Sequence, residues 1–468
     1  MDVAVVGGGI AGTFASLLLK KSGFDVTLFE RSNSLGGCAG SFIRGGVEFK
    51  AGATTIPGLQ PSFPVYALFK ETGIKQHFKI LDPSIIVVSP RGTVRRYLSL
   101  DRTIEEINEV YPNKGHVKFW KRVYDVTFGF FESLPTFDLS SGRSILSTLK
   151  YLKWASLRFG HLYLTPALSY LKRYYDRLDR DYIEFINSQL MITAQTRIDD
   201  INALIMLLSL GYPFSGISDQ NFDFRGIADD IKERGSELLL SSPVEGILKT
   251  RDGYVLHSNA NSHRFSKVVL AYPFLEETQV IGDEKIKRYL ESFSPLLNDN
   301  GALILYGVVR DLKAQGAFYL LIDLDISPLI SREIFISLYP TKNPLRTAFT
   351  VSTHTKVSDW LRLDRETYGS VKEMLRSLIL QVVSQTFQID SGQIEESFVA
   401  TPLTFKRFLG RFNAGGIIVS RKNHFLNIPP NVTPFKGLYL CGDMSFGYQG
   451  WLGISVGLAN LLNGIKFR

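Results

Sequence analysis

Two stretches at opposite ends of the chain carry residue types at a spacing that could hold a dinucleotide. The first is Gly7-Gly8-Gly9-Ile10-Ala11-Gly12, with Glu30 further on. In such a run Gly7 permits a sharp turn, Gly9 lets the backbone approach a pyrophosphate, and Gly12 lets a helix pack closely on a strand. Ile10 and Ala11 open that helix, whose free N–H groups and dipole favour phosphate. Glu30 closes the second strand, where an acid accepts hydrogen bonds from ribose hydroxyls and disfavours a 2′-phosphate. Arg31 begins the loop beyond it. This run leaves NAD and FAD both open.

The second stretch is Gly437-Leu438-Tyr439-Leu440-Cys441-Gly442-Asp443. A strand ending in Gly-Asp is the second half of an FAD site. Asp443 would meet the ribityl hydroxyls, and Gly442 lets the backbone pass close to a phosphate. An NAD enzyme has no need of this element, so the two stretches together select FAD. Gly36-Gly37-Cys38 adds backbone N–H groups that could wrap the pyrophosphate or reach the flavin ring. Gly450, Trp451 and Leu452 start a last helix running to about residue 462. Its N-terminus is expected at the pyrimidine edge of the flavin, where the dipole favours reduction. Phe446, Tyr448 and Trp451 either shape the ring edge or pack the wall. The chain has a single GxGxxG run, so no second nicotinamide domain is expected.

The elements that must position these residues follow from the hydrophobic pattern. Val3, Val5 and Val6 form a buried strand, residues 13–21 a helix, and residues 26–29 the next strand. Residues 42–49 read as a hairpin turning at Gly45-Gly46. Residues 103–111, 118–134 and 144–175 read as mostly helical, as do 182–193 and 198–210. Strands recur at 244–249, 254–258 and 268–271. Further strands at 302–308, 317–322, 334–339 and 348–352 precede a long helix over 365–387. A sheet of this kind could floor a long apolar cavity, and some of the 33 phenylalanines could line it.

At 468 residues the chain is too long for one simple core, so two domains are expected. No apolar run reaches the roughly eighteen residues of a spanning helix, and none reads as a signal peptide. The expectation is a cytoplasmic protein, with a peripheral membrane location as the variant. Two cysteines, Cys38 and Cys441, exclude a disulfide scaffold and a cysteine-built metal site. The net charge of +8 suggests an anionic neighbour. Residues 139–175 contain Arg143, Lys150, Lys153, Arg158, Lys172 and Arg173 among many aromatics, and no acid. Such a span suits an anionic membrane interface; a basic helical pair packed on its own domain fits equally. No recognised nucleic-acid module accompanies it, and no nucleic-acid partner is expected.

The order of a glycine pair (GGCAGSF), a hairpin and the turn Ala51-Gly52-Ala53-Thr54-Thr55 resembles the flavin amine oxidase and phytoene desaturase superfamily. Within it, Thr401-Pro402-Leu403-Thr404-Phe405-Lys406-Arg407-Phe408-Leu409-Gly410-Arg411 resembles carotenoid cis–trans isomerases and retinol saturases. Residues 1–58 and 396–468 carry the resemblance. It implies an α/β fold: a discontinuous FAD-binding Rossmann-like domain (1–75, 221–280, 396–468) with a mixed α+β substrate domain (76–220, 281–395) carrying a helical cap. It implies FAD contacts at Thr54, and at Val244 through its backbone to adenine. Relatives have aspartate where Lys50 stands and histidine where Phe405 stands, and these departures bear on chemistry rather than on cofactor binding. Arg407 and Arg411 either neutralise phosphate, orient a loop, or are solvated.

The activity implied is FAD-dependent chemistry on a long apolar polyene: desaturation, saturation or redox-neutral isomerisation. Amine oxidation is a rival, with Lys50 and Tyr448 or Trp451 as stand-ins for that branch's lysine and paired aromatics. A non-catalytic flavoprotein binding a partner or membrane is another. No catalytic acid or base, electron acceptor or oligomeric state can be read from the sequence.

Overall fold

Short aliphatic runs without a polar face make strands that a parallel sheet buries on both sides. In the computed structural model, which describes residues 1–74, 76–134, 158–219, 221–413, 415–420, 423 and 427–466, five such runs form one sheet. Its order is Leu438–Leu440, Lys267–Leu270, Asp2–Val6, Asp25–Phe29 and Glu237–Leu239, all parallel. Distant pieces of the chain therefore meet at one sheet. The helices Ile10–Lys21 and Gly450–Lys466 pack together on one face, with Phe14, Leu18, Leu458 and Leu461 in their shared core. The other face is covered by an antiparallel meander, Val244–Lys249, Tyr254–Ser258 and Asn261–Phe265, rather than by helices alone.

A second sheet has seven strands, ordered Ile394–Ala400, Asn300–Arg310, Arg346–Lys356, Ile334–Pro340, Phe318–Leu321, Ile85–Ser89 and Gly92–Arg96. Only the pairing of Phe318–Leu321 with Ile85–Ser89 is parallel. The edge strand Ile394–Ala400 escapes sequence reading because its charged, half-buried residues (IEESFVA) mask the alternation. The long helix Arg365–Phe387 covers one face through Leu375, Ile379 and Val383. The hairpin Ser41–Arg44 and Val47–Lys50 covers one end of the opposite face, with Gly45 and Gly46 at positive φ in its turn. The other end carries the helical cap.

Cap helices include Leu100–Val110, Gly115–Glu132, Arg180–Ala194 and Ala203–Leu210. Their starts have local causes. Ser99, Asp179 and Asn202 each accept a hydrogen bond from a backbone N–H of the first turn. The helix expected over 198–210 begins at Ala203, because Ile198–Asp200 forms a separate 3₁₀ turn before Asn202 caps. Part of the basic span expected at 139–175, with Arg143, Lys150 and Lys153, lies outside the described residues. Among the described residues no helix is long and apolar enough to cross a membrane.

Candidate functional site: a dinucleotide cleft between two chain ends

At the carboxyl ends of the parallel strands the chain leaves a cleft of ≈ 210 Å³. This is where ligands of open α/β sheets bind. Its first wall is the turn after Asp2–Val6. Gly7 has φ +107°, and a Cβ there would meet the carbonyl of Ala271 at 2.8 Å. A Cβ on Gly12 would stand 1.8 Å from the Gly7 carbonyl oxygen, so helix and turn touch through bare backbone. Gly9 is different. A Cβ there would have nothing within 4 Å, because that side of the residue is open. Gly9 also gives the following helix no side-chain cap, and its first turn holds no acid, so the N–H groups of that turn remain for a ligand.

Glu30 is locked in place. Its Oε2 accepts from the Gly8 N–H at 2.6 Å, and its Oε1 from the N–H (2.8 Å) and hydroxyl (2.6 Å) of Ser32. Gly36 bonds through its N–H to the Gly8 carbonyl at 2.8 Å, which lays the second glycine pair against the first. At the far end Gly442 (φ +117°) places Asp443 at the cleft. Asp443 Oδ2 accepts from Arg411 Nη1 at 2.9 Å. Burial pushes the Cys38 thiol up, against the lowering effect of Arg411, and keeps it protonated. Burial likewise raises the Glu276 carboxyl, although its oxygens accept from the N–H groups of Phe412 (2.6 Å) and Asn413 (3.3 Å).

Of the residues expected at the cofactor, Gly7, Gly9, Ile10, Ala11, Glu30, Arg31, Gly36, Gly37, Cys38, Val244, Gly442 and Asp443 all line this one cleft. Gly12 stands behind it, as packing. Four others do not line it either. Thr54 accepts a hydrogen bond from Ser337 on the seven-stranded sheet at 2.7 Å. Gly450 (φ +73°) and Leu452 lie in the first turn of the last helix, Leu452 packed towards Gly58, and Ile454 lines the cleft instead. The Trp451 side chain is buried against Phe14, Phe69 and Phe222, so it packs the wall and does not edge a ring. Sequence reading missed Tyr272, Pro273 and Glu277, which also line the cleft. Their signal was their place directly after the returning strand Lys267–Leu270.

The residues fit FAD. An open cradle at Gly9, an acid for the ribose and an Asp for the ribityl chain occur at one cleft. Among the described residues no cluster of side chains could hold a metal ion.

A family model described as an NAD(P)-binding Rossmann-like domain matches residues 5–72. The chain is 30% identical over 127 residues to a 4,4'-diapolycopen-4-al dehydrogenase of Metabacillus indicus, covering 26% of this chain and 25% of that protein. It therefore spans only a quarter of that relative's length. It is 22% identical over 535 aligned positions to an all-trans-retinol 13,14-reductase of Danio rerio, covering 97% of this chain and 84% of that one. Among solved structures, an oxidoreductase from Methanosarcina mazei matches with a TM-score of 0.68 at 14% identity, over 99% of this chain and 100% of that chain. The chain shares its fold with that oxidoreductase and with a putrescine oxidase, and its nucleotide domain is Rossmann-like.

Proposed function

We propose that this chain is an FAD-dependent oxidoreductase acting on a long apolar polyene. The observation that carries the cofactor is the meeting of Gly9, Glu30 and Asp443 at one cleft. Bound FAD supplies two-electron hydride chemistry to whichever substrate the second domain presents. Relatives named for diapolycopenal and retinol support a conjugated, carotenoid-like substrate. The chain's own contribution is to hold and enclose that substrate. The hairpin and the helical cap pack on the same face of the seven-stranded sheet, each over its own apolar cluster.

Amine oxidation is the weaker reading, because the aromatic pair it would use is not assembled. Trp451 packs in the core beside the first helix, while the Tyr448 hydroxyl donates to the Asn423 carbonyl at 3.1 Å in a different cluster. Lys50 lies 3.8 Å from Glu48 on its own hairpin.

The test is product mass and geometry after incubation with a poly-cis carotenoid, with the flavin oxidised and then reduced, without oxygen. Unchanged mass with altered geometry under reduced flavin makes the protein an isomerase. Gain or loss of two hydrogens makes it a saturase or desaturase. No product in either state overturns the polyene substrate.

The membrane surface is the partner we propose for the cap. Lys114, Lys118, Lys121, Lys172 and Arg173 are exposed on the cap, as are the apolar side chains of Val117 and Leu164. Exposed cations with exposed aliphatics suit anionic headgroups.

A further inference from the structure

Two arginines line the cleft, and they differ in kind. Arg31 is exposed and shares Glu277 with Lys406, at 3.4 and 3.6 Å. Arg411 is only 8% exposed. Its Nε donates to the Asn413 carbonyl at 2.8 Å, and its Nη1 to Asp443 at 2.9 Å. Its Nη2 is buried and meets no nitrogen or oxygen acceptor, the guanidinium's other polar neighbour being the Cys38 thiol. Burial opposes the charge, but the neighbouring Asp443 carboxylate holds the guanidinium more firmly protonated than usual. A charged donor left unmade in the interior is expensive, and native structures rarely tolerate it. The neighbouring arginine of the same segment has no such role: Arg407 is exposed and lies over the Phe408 ring.

We propose that Arg411 is a cofactor-binding residue whose Nη2 donates to the phosphate on the flavin side of the FAD diphosphate. The assignment rests on the FAD reading above. One guanidinium then does two things at once. Nη1 fixes Asp443 towards the ribityl chain, and Nη2 meets the phosphate next to that chain. The charge balance agrees. Asp443 and Glu276 already bring carboxyl groups to this end of the cleft, and an incoming phosphate adds more negative charge. Arg411 is the buried cation lining the cleft that can offset it. The planar fork of arginine suits such a double contact, whereas the point charge of lysine does not.

The test uses the full chain freed of bound flavin and titrated with riboflavin, FMN and FAD, read by quenching of flavin fluorescence. Riboflavin has the ring and ribityl chain but no phosphate. Arg411→Gln should weaken FMN and FAD by roughly ten- to a hundredfold more than it weakens riboflavin, the loss of one charge-assisted bond; any loss common to all three is the loosening of Asp443. Should Arg411→Gln fail to fold, judged by its melting transition, Arg411→Lys carries the same comparison with a loss of severalfold. An equal loss for riboflavin and FMN would mean that Arg411 acts only through Asp443 or the ring, and would overturn the assignment. So would unchanged binding of all three. If the folded wild type binds no flavin at all, the FAD reading falls and this assignment with it.

Discussion

At the residue scale the cleft separates glycines that pack from the glycine that admits a ligand. Gly12 is demanded by the protein itself, since any side chain there would strike the Gly7 carbonyl. Gly9 is demanded by something else, because a Cβ there would enter open space. Gly9→Val is therefore expected to fold with a melting temperature close to that of the wild type and to purify colourless. A yellow Gly9→Val protein carrying a full complement of flavin would remove the cleft as the cofactor site. Gly12→Ala should lose the fold of the turn itself, which separates the two roles in one pair of variants.

At the element scale the strand Arg346–Lys356 gives the seven-stranded sheet two unlike faces. Its residues alternate between the face under the helix Arg365–Phe387 and the opposite face, which bears Ala348 and His354. His354 pairs with Ala302, and its Nδ1 is buried without a partner. Burial pushes its imidazole down to about 4. The ring is thus neutral in the folded protein but binds a proton near pH 6.5 when unfolded. Its contribution to stability is complete above about pH 6.5 and is lost as pH falls towards 4. The loss amounts to at most about 3 kcal/mol. Denaturant unfolding at pH 7 and pH 4.5 should show His354→Asn losing less stability between the two than the wild type. Parallel losses would show that His354 titrates normally.

At the scale of the whole molecule, the cap exposes Lys118, Lys121 and Lys172 to solvent. Charge reversal of Lys118, Lys121 and Lys172 to Glu should abolish co-sedimentation with anionic vesicles, while neutral vesicles bind neither protein. Unchanged pelleting of the triple variant would dismiss the membrane surface as a partner. Salt should weaken the wild-type interaction, since exposed charges are screened within about a Debye length.

The local chemistry of the cofactor ends was readable from sequence, because glycine geometry and strand-end acids act through the backbone of a few adjacent residues. Gly7, Gly9, Glu30, Gly442 and Asp443 fall at one cleft for that reason, and the helix Arg365–Phe387 was legible from periodicity alone. Tertiary structure decided whatever depends on neighbours remote in the chain. The indole of Trp451 could face a ring or the core, and only the packing of the last helix on Phe14 and Phe69 turns it inward. Arg407 and Arg411 are four residues apart and of one chemistry. The left-handed turn at Gly410 ends the helix between them, leaving one arginine in solvent and burying the other beside Asp443. Burial and partner choice are sums over contacts from every part of the chain, and no local pattern encodes them.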